Sequence, residues 1–241
     1  MNYIHSSVAI LGITSSVLSG IPVAVHAAQK APTHIQQMNY QEYYSQGVQK
    51  LEQGNFNAAI EDFSRVVQLN PTYYEGFCLR GLAKSQLRDF KAAVSDFDQA
   101  LRLNPNHTDA YNGRGTAHAE LGSIEAAITD FNQVLRIDPK SVDAYYNRGF
   151  LNYRQGNHKL AIPFLRNATR TESFANADFN QALQINPNLA DAYGNRGLAE
   201  YALGDRKSAI TDLQQAASLF QREGDPQRYQ QTQALLQQIQ Q

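Results

Sequence analysis

Residues 74–107 read YEGFCLRGLAKSQLRDFKAAVSDFDQALRLNPNH, and residues 108–141 read TDAYNGRGTAHAELGSIEAAITDFNQVLRIDPKS. Set one above the other, the two stretches agree in kind at fixed places. Phe77 stands over Tyr111, Gly81 over Gly115, Ala93 over Ala127, Phe97 over Phe131 and Pro105 over Pro139. A period of this length decides the architecture before any single residue does. Each unit is one supersecondary element that buries its apolar side only against its neighbours.

The period runs on in both directions. Gly47, Gly81, Gly115 and Gly149 recur every 34 residues, and Gly197 follows after 48. An aromatic precedes each by four: Tyr43, Phe77, Tyr111, Tyr145 and Tyr193. Later come Ala59, Ala93, Ala127, Ala161 and Ala209, and four residues beyond them Phe63, Phe97, Phe131, Leu165 and Leu213. Positions four apart share one face of a helix. A glycine inside a helix costs about 1 kcal/mol relative to alanine, so its recurrence points to two helices approaching closely there. Gly54, Gly122, Gly156 and Gly204, with Arg88 as the exception, mark a turn between the two helices. Asn55, Asp89, Ser123, Asn157 and Asp205 come next, all types suited to cap a helix start. Pro71, Pro105, Pro139 and Pro187 close four units, because proline cannot continue a helix.

Helix, turn, helix, proline in register over about residues 40–223 resembles the tetratricopeptide repeat family, although Trp is absent and Gln221 stands where the last proline would fall. The resemblance implies an all-α, right-handed superhelical solenoid of antiparallel helix pairs. The expected hairpins are 40–73, 74–107, 108–141, 142–189 and 190–223, with a capping helix over 224–241. It also implies that the first helices line an inner surface where a partner polypeptide binds. The projected inner residues are Tyr44, Leu79, Leu82, Asn112, Thr116, Tyr146, Asn147, Phe150, Tyr153, Asn195, Leu198 and Tyr201. Part of the family grips acidic chain ends with Lys and Asn clamps. Apart from Lys50 and Lys84 the first helices offer few lysines, so that activity does not carry over.

The unit 142–189 exceeds the others by 14 residues. Ala161, Leu165 and Ala168 form one copy of a second-helix pattern, and Ala175, Phe179 and Ala182 form another. Fourteen residues is close to four helical turns, so both copies can keep nearly one face. Pro163 argues against a straight helix. The expectation is a kinked long helix or two short ones, broken near Thr171 to Ser173. A tolerated insertion and a protrusion that meets a partner both remain open. Charges repeat too. Asp62, Asp96, Asp130 and Asp178 each lie 18 residues before Arg80, Arg114, Arg148 and Arg196. Because that spacing survives the insertion, the expected ion pairs join the second helix of one unit to the first helix of the next.

Residues 8–25 are apolar or small and uncharged, and Val25-His26-Ala27 offers the small residues a signal peptidase needs. The expected division is a signal peptide over 1–27 and a polar linker over 28–39, with export and a mature start at Ala28. An uncleaved membrane anchor is the alternative. Asp225-Pro226 suits a final helix start, and the glutamines after it solvate one side.

Chemistry for catalysis is missing from the pattern. The six histidines are scattered without ligand spacing, Cys78 is alone, and no phosphate-cradling loop follows a strand. A net charge of -1 gives nucleic acid no electrostatic support. The reading is a protein–protein interaction scaffold without cofactor, metal or small-molecule substrate, set in assembly of an envelope or membrane complex. Self-assembly is the alternative, and enzyme function ranks below both.

Overall fold

The computed structural model describes residues 39–155 and 174–241. From Asn39 onward the chain forms one compact unit. Among the described residues there are eleven α-helices and no strand. First helices of the hairpins are α1 (Tyr40–Glu52), α3 (Tyr74–Gln86), α5 (Thr108–Glu120), α7 (Val142–Arg154) and α9 (Ala190–Leu203). Second helices are α2 (Phe56–Leu69), α4 (Phe90–Leu103), α6 (Ile124–Ile137), α8 (Phe174–Ile185) and α10 (Arg206–Glu223), and α11 (Pro226–Gln240) closes the chain. Each first helix packs on its own second helix, and each second helix on the next first helix. First helices also touch in order, α1 to α3 to α5 to α7 to α9, so they form one continuous layer. This is the expected all-α solenoid.

Local chemistry accounts for the breaks. Gly54, Gly122 and Gly204 take φ of 74°, 78° and 88°, and Arg88 takes the same left-handed turn at 63°. Asp89 and Asp205 cap the following helices by accepting from the Ala92 and Ser208 N–H groups. Asn55 and Ser123 occupy the same position without a side-chain cap bond, contrary to the expectation for them. The Asn-Pro and Asp-Pro steps have a specific use. Asn70, Asn104, Asp138 and Asn186 each turn a side-chain oxygen onto the N–H two residues ahead, at 3.0–3.3 Å, folding the chain back around the proline. Without a proline near Gln221, α10 runs 18 residues and ends at Gly224, which takes φ 73°.

The core is a column of one residue per hairpin: Phe63, Phe97, Phe131, Phe179 and Leu213, all at 0–1% exposure. Each lies against the recurring glycine. A Cβ on Gly47 would stand 2.7 Å from the Phe63 ring, and one on Gly197 would stand 3.1 Å from Leu213. In the fourth hairpin the seat belongs to Phe179, from the second copy of the pattern, and its ring packs beside Gly149. Leu165, Pro163 and the expected break at Thr171 to Ser173 lie outside the described residues, as do the signal and most of the linker; α8 begins at Phe174.

The ion pairs follow a different rule from the one expected. Arg80 and Arg114 pair with Asp96 and Asp130, 16 residues ahead in their own hairpin. Arg148 and Arg196 likewise take Asp178 and Asp212 of their own hairpins. Each uses Nε and Nη2 in a two-pronged bond. The remaining nitrogen, Nη1, reaches back to the preceding second helix, at Ser64, Asp98, Asn132 or Asn180. The preceding Asp is therefore not the partner, because the residue two places after it is nearer. One planar guanidinium thus ties three helices, a use of its fork that a lysine could not copy. In the first hairpin Gln46 stands at the Arg position and Lys50 takes Asp62 at 2.6 Å. Lys84, one turn beyond Arg80, adds a second cation to Asp96 at 2.7 Å. The same place in α9 holds Glu200, a carboxylate brought near Asp212.

Candidate partner-binding groove

The layer of first helices presents a repeating face. Within each, the residues at helical positions 2, 5, 9 and 12 fall on one side. In α7 these are Asp143, Tyr146, Phe150 and Tyr153, and in α9 they are Asp191, Gly194, Leu198 and Tyr201.

The expected groove residues divide into two groups. Tyr44, Leu79 and Leu82 join the cluster around Phe63, and the Tyr44 ring meets Tyr73 edge-on at 5.4 Å. Tyr146, Phe150 and Tyr153 pack on the Phe179 cluster, with Tyr146 and Phe150 stacked at 6.4 Å. Asn195 donates from Nδ2 to the Tyr146 hydroxyl at 3.0 Å, joining α9 to α7. These side chains shape the wall and are half-buried. Asn147, Thr116 and Leu198 are half-buried as well, Tyr201 is 46% exposed, and Asn112 is buried at 7%. Asn112 is the exception in chemistry also, since its Oδ1 has no hydrogen-bond donor among the described residues.

The sequence reading missed the acids. Glu75, Asp109, Asp143 and Asp191 occupy the second position of α3, α5, α7 and α9. Their carboxylates are near enough to act on the groove residues. Burial raises the Tyr44 hydroxyl pKa, and Glu75 adds to the rise. Tyr146 is raised by burial first and by Asp191 second. Burial raises Cys78, with Asp109 and Glu75 contributing. Asp143 is raised by lost solvation and then by the neighbouring Asp109 carboxylate. The signal was present: an acid recurs two residues into every first helix from the second hairpin onward. It reads at first as the ordinary preference of helix starts for negative charge.

Among the described residues no cluster of His, Cys, Asp and Glu could hold a metal ion. Burial drives the Cys78 thiol pKa up, away from a reactive thiolate.

Sequence-family models described as tetratricopeptide repeat match residues 43–73, 74–107, 142–173 and 190–222, and one described as TPR repeat matches 115–156. The chain belongs to the tetratricopeptide repeat family. Solved structures of the same fold include MamA from Desulfovibrio magneticus RS-1, with a TM-score of 0.65 and 18% identity over 76% of this chain and 96% of that one. YrrB, described as a TPR protein with an unusual peptide-binding site, aligns with a TM-score of 0.60 and 16% identity over 80% and 90% of the two chains. TTC0263, a thermophilic TPR protein of Thermus thermophilus, aligns with a TM-score of 0.59 and 16% identity over 83% and 98%. Comparison with curated proteins gives no match.

Proposed function

We propose that this protein is a scaffold that holds a segment of another polypeptide against the layer of its first helices. The observation that carries this reading is the face itself. It runs unbroken from α1 to α9, walled by half-buried Tyr, Phe and Asn and with Tyr201 exposed on it. Aromatic anchors among hydrogen-bonding neighbours suit peptide capture. YrrB, of the same fold, carries a peptide-binding site by its description, which supports the reading by analogy.

The setting we propose is outside the cytoplasm, in assembly of an envelope or membrane complex. Residues 8–25 and Val25-His26-Ala27 support it. Sequencing of the mature N-terminus should begin at Ala28; retention of Met1 rejects cleavage.

The groove is tested by photo-crosslinking in native cells. A benzoylphenylalanine at Thr116 or Tyr201 should capture a partner, and one at the exposed Lys91 of α4 should not. Capture from Lys91 alone, or equal capture from all three, sinks the groove. Replacing Tyr146, Phe150 and Tyr153 is a poorer test, because they pack on Phe179 and their loss would loosen the fold.

A further inference from the structure

The acids along the groove form a ladder with an uneven complement of cations. At its α9 rung, Asp191 is answered from within the chain: Arg228 of α11 donates from Nη1 to Asp191 Oδ2 at 2.8 Å. That guanidinium is held by Asp225 at 2.6 Å and lies 4.7 Å above the Phe220 ring. The molecule itself therefore shows which chemistry a rung accepts.

The other three rungs have no such answer. Glu75, Asp109 and Asp143 make no ion pair among the described residues. The arginines of the same three helices are already committed, Arg80 to Asp96, Arg114 to Asp130 and Arg148 to Asp178. Helix starts favour an acid, which explains one carboxylate per helix. It does not explain why they act on one another, as Asp109 does on Asp143. Nor does it explain Asn112, one turn beyond Asp109, whose buried carbonyl oxygen is left without a donor. Tyr44 feels Glu75 and Tyr146 feels Asp191, so the charge at position 2 of one helix reaches position 5 of the helix before it. Asn112, at position 5 of α5, lies on the same side of that helix as Asp109. The site is a row of carboxylates that no cation answers, with one buried acceptor, the Asn112 carbonyl oxygen, that has no donor among the described residues.

Resting on the groove reading above, we propose that the occupant is an extended, cationic polypeptide segment whose Lys or Arg side chains seat on Glu75, Asp109 and Asp143, with the Asn112 carbonyl as a further acceptor. Adjacent helices stand about 8–10 Å apart and an extended chain advances about 3.3 Å per residue, so the basic residues recur at about every third position.

The test uses fluorescein-labelled synthetic peptides of about a dozen residues on the intact protein, read by anisotropy at low and high salt. One peptide carries Arg at every third position in a neutral background; the other carries Glu at those positions. The Arg peptide should bind, with affinity falling as salt rises, and the Glu peptide should not. The Asp109→Asn/Asp143→Asn variant should weaken binding about tenfold or more. Glu61→Gln/Glu223→Gln, a charge-matched change at exposed positions away from the ladder, should leave it unaltered. Circular dichroism checks folding, and Glu75→Gln replaces the double variant if that fails to fold. No binding of the Arg peptide, equal binding of both peptides, or equal loss in both variants overturns the proposal. If the groove crosslinker still captures a partner in that case, only the charge assignment falls; if it captures none, the groove reading falls with it.

Discussion

Arg148 grips Asp178 with two parallel bonds, at 3.0 Å and 2.6 Å, across 30 residues of chain. In the neighbouring hairpins the same bonds span 16. The extra residues thus enter between a cation and its partner without parting them. The pair is the anchor that seats α8 on α7, because Asp178 and Phe179 are adjacent and both meet α7. Asp178→Asn should therefore destabilise the protein by about 2–3 kcal/mol, below the range for a fully buried pair because the Arg148 side chain keeps some contact with water. Arg148→Lys should cost about 1 kcal/mol, since it keeps the charge and loses the fork. Urea unfolding of both variants checks the order; equal losses would deny the two-pronged geometry its role.

The glycines differ in what surrounds them, and alanine substitution should separate them by sign. Gly47→Ala would set a methyl 2.7 Å from the Phe63 ring, which is fully buried and has nowhere to turn. A net loss of about 1–2 kcal/mol is expected, overpacking exceeding the gain in helix propensity. Gly194 sits inside α9 with its nearest neighbour, the Ala216 Cβ, at 3.9 Å. Gly194→Ala should stabilise by about 0.5–1 kcal/mol. Shifts of the urea midpoint in the same direction for both would contradict the packing described.

Glu200 makes the last hairpin sensitive to pH. Loss of solvation, with the Asp212 carboxylate adding to it, raises its pKa from 4.5 to about 7. The folded chain then holds a proton that the unfolded chain has released, so stability falls as pH rises from about 4.5 to 7. Glu200→Gln should flatten that slope and raise stability at neutral pH by about 1 kcal/mol, a figure reduced for solvent screening. Melting temperatures of both proteins across this window check it; parallel curves would refute it.

Most of the fold was legible because packing at Gly47, Phe63 and their counterparts repeats in register, and repetition separates signal from accident. The partner of each arginine was misread for a physical reason. Two spacings, 18 and 16, were available, and only the first is unbroken by the insertion in sequence. The decisive clue lay in the two copies themselves. The second offers Asp178, where the first has Phe164 fourteen residues earlier, and a phenylalanine cannot answer Arg148. The groove was half legible. Periodicity placed Tyr146 and Asn195 on neighbouring first helices where they meet, but it could not tell a ring that packs into the wall from one left open. That distinction depends on which neighbour covers it, as Phe179 does Tyr146.

The three-helix reach of each guanidinium has an evolutionary corollary. Excise residues 74–107 and Arg114 would keep Asp130 ahead of it while falling heir to Ser64, the residue Arg80 now touches behind it. Loss or duplication of one whole period therefore leaves each such guanidinium with a partner on both sides of the seam. The 14 residues added in the fourth hairpin reach the same end by another route, since they fall between Arg148 and Asp178 and leave both ends of that guanidinium's reach filled.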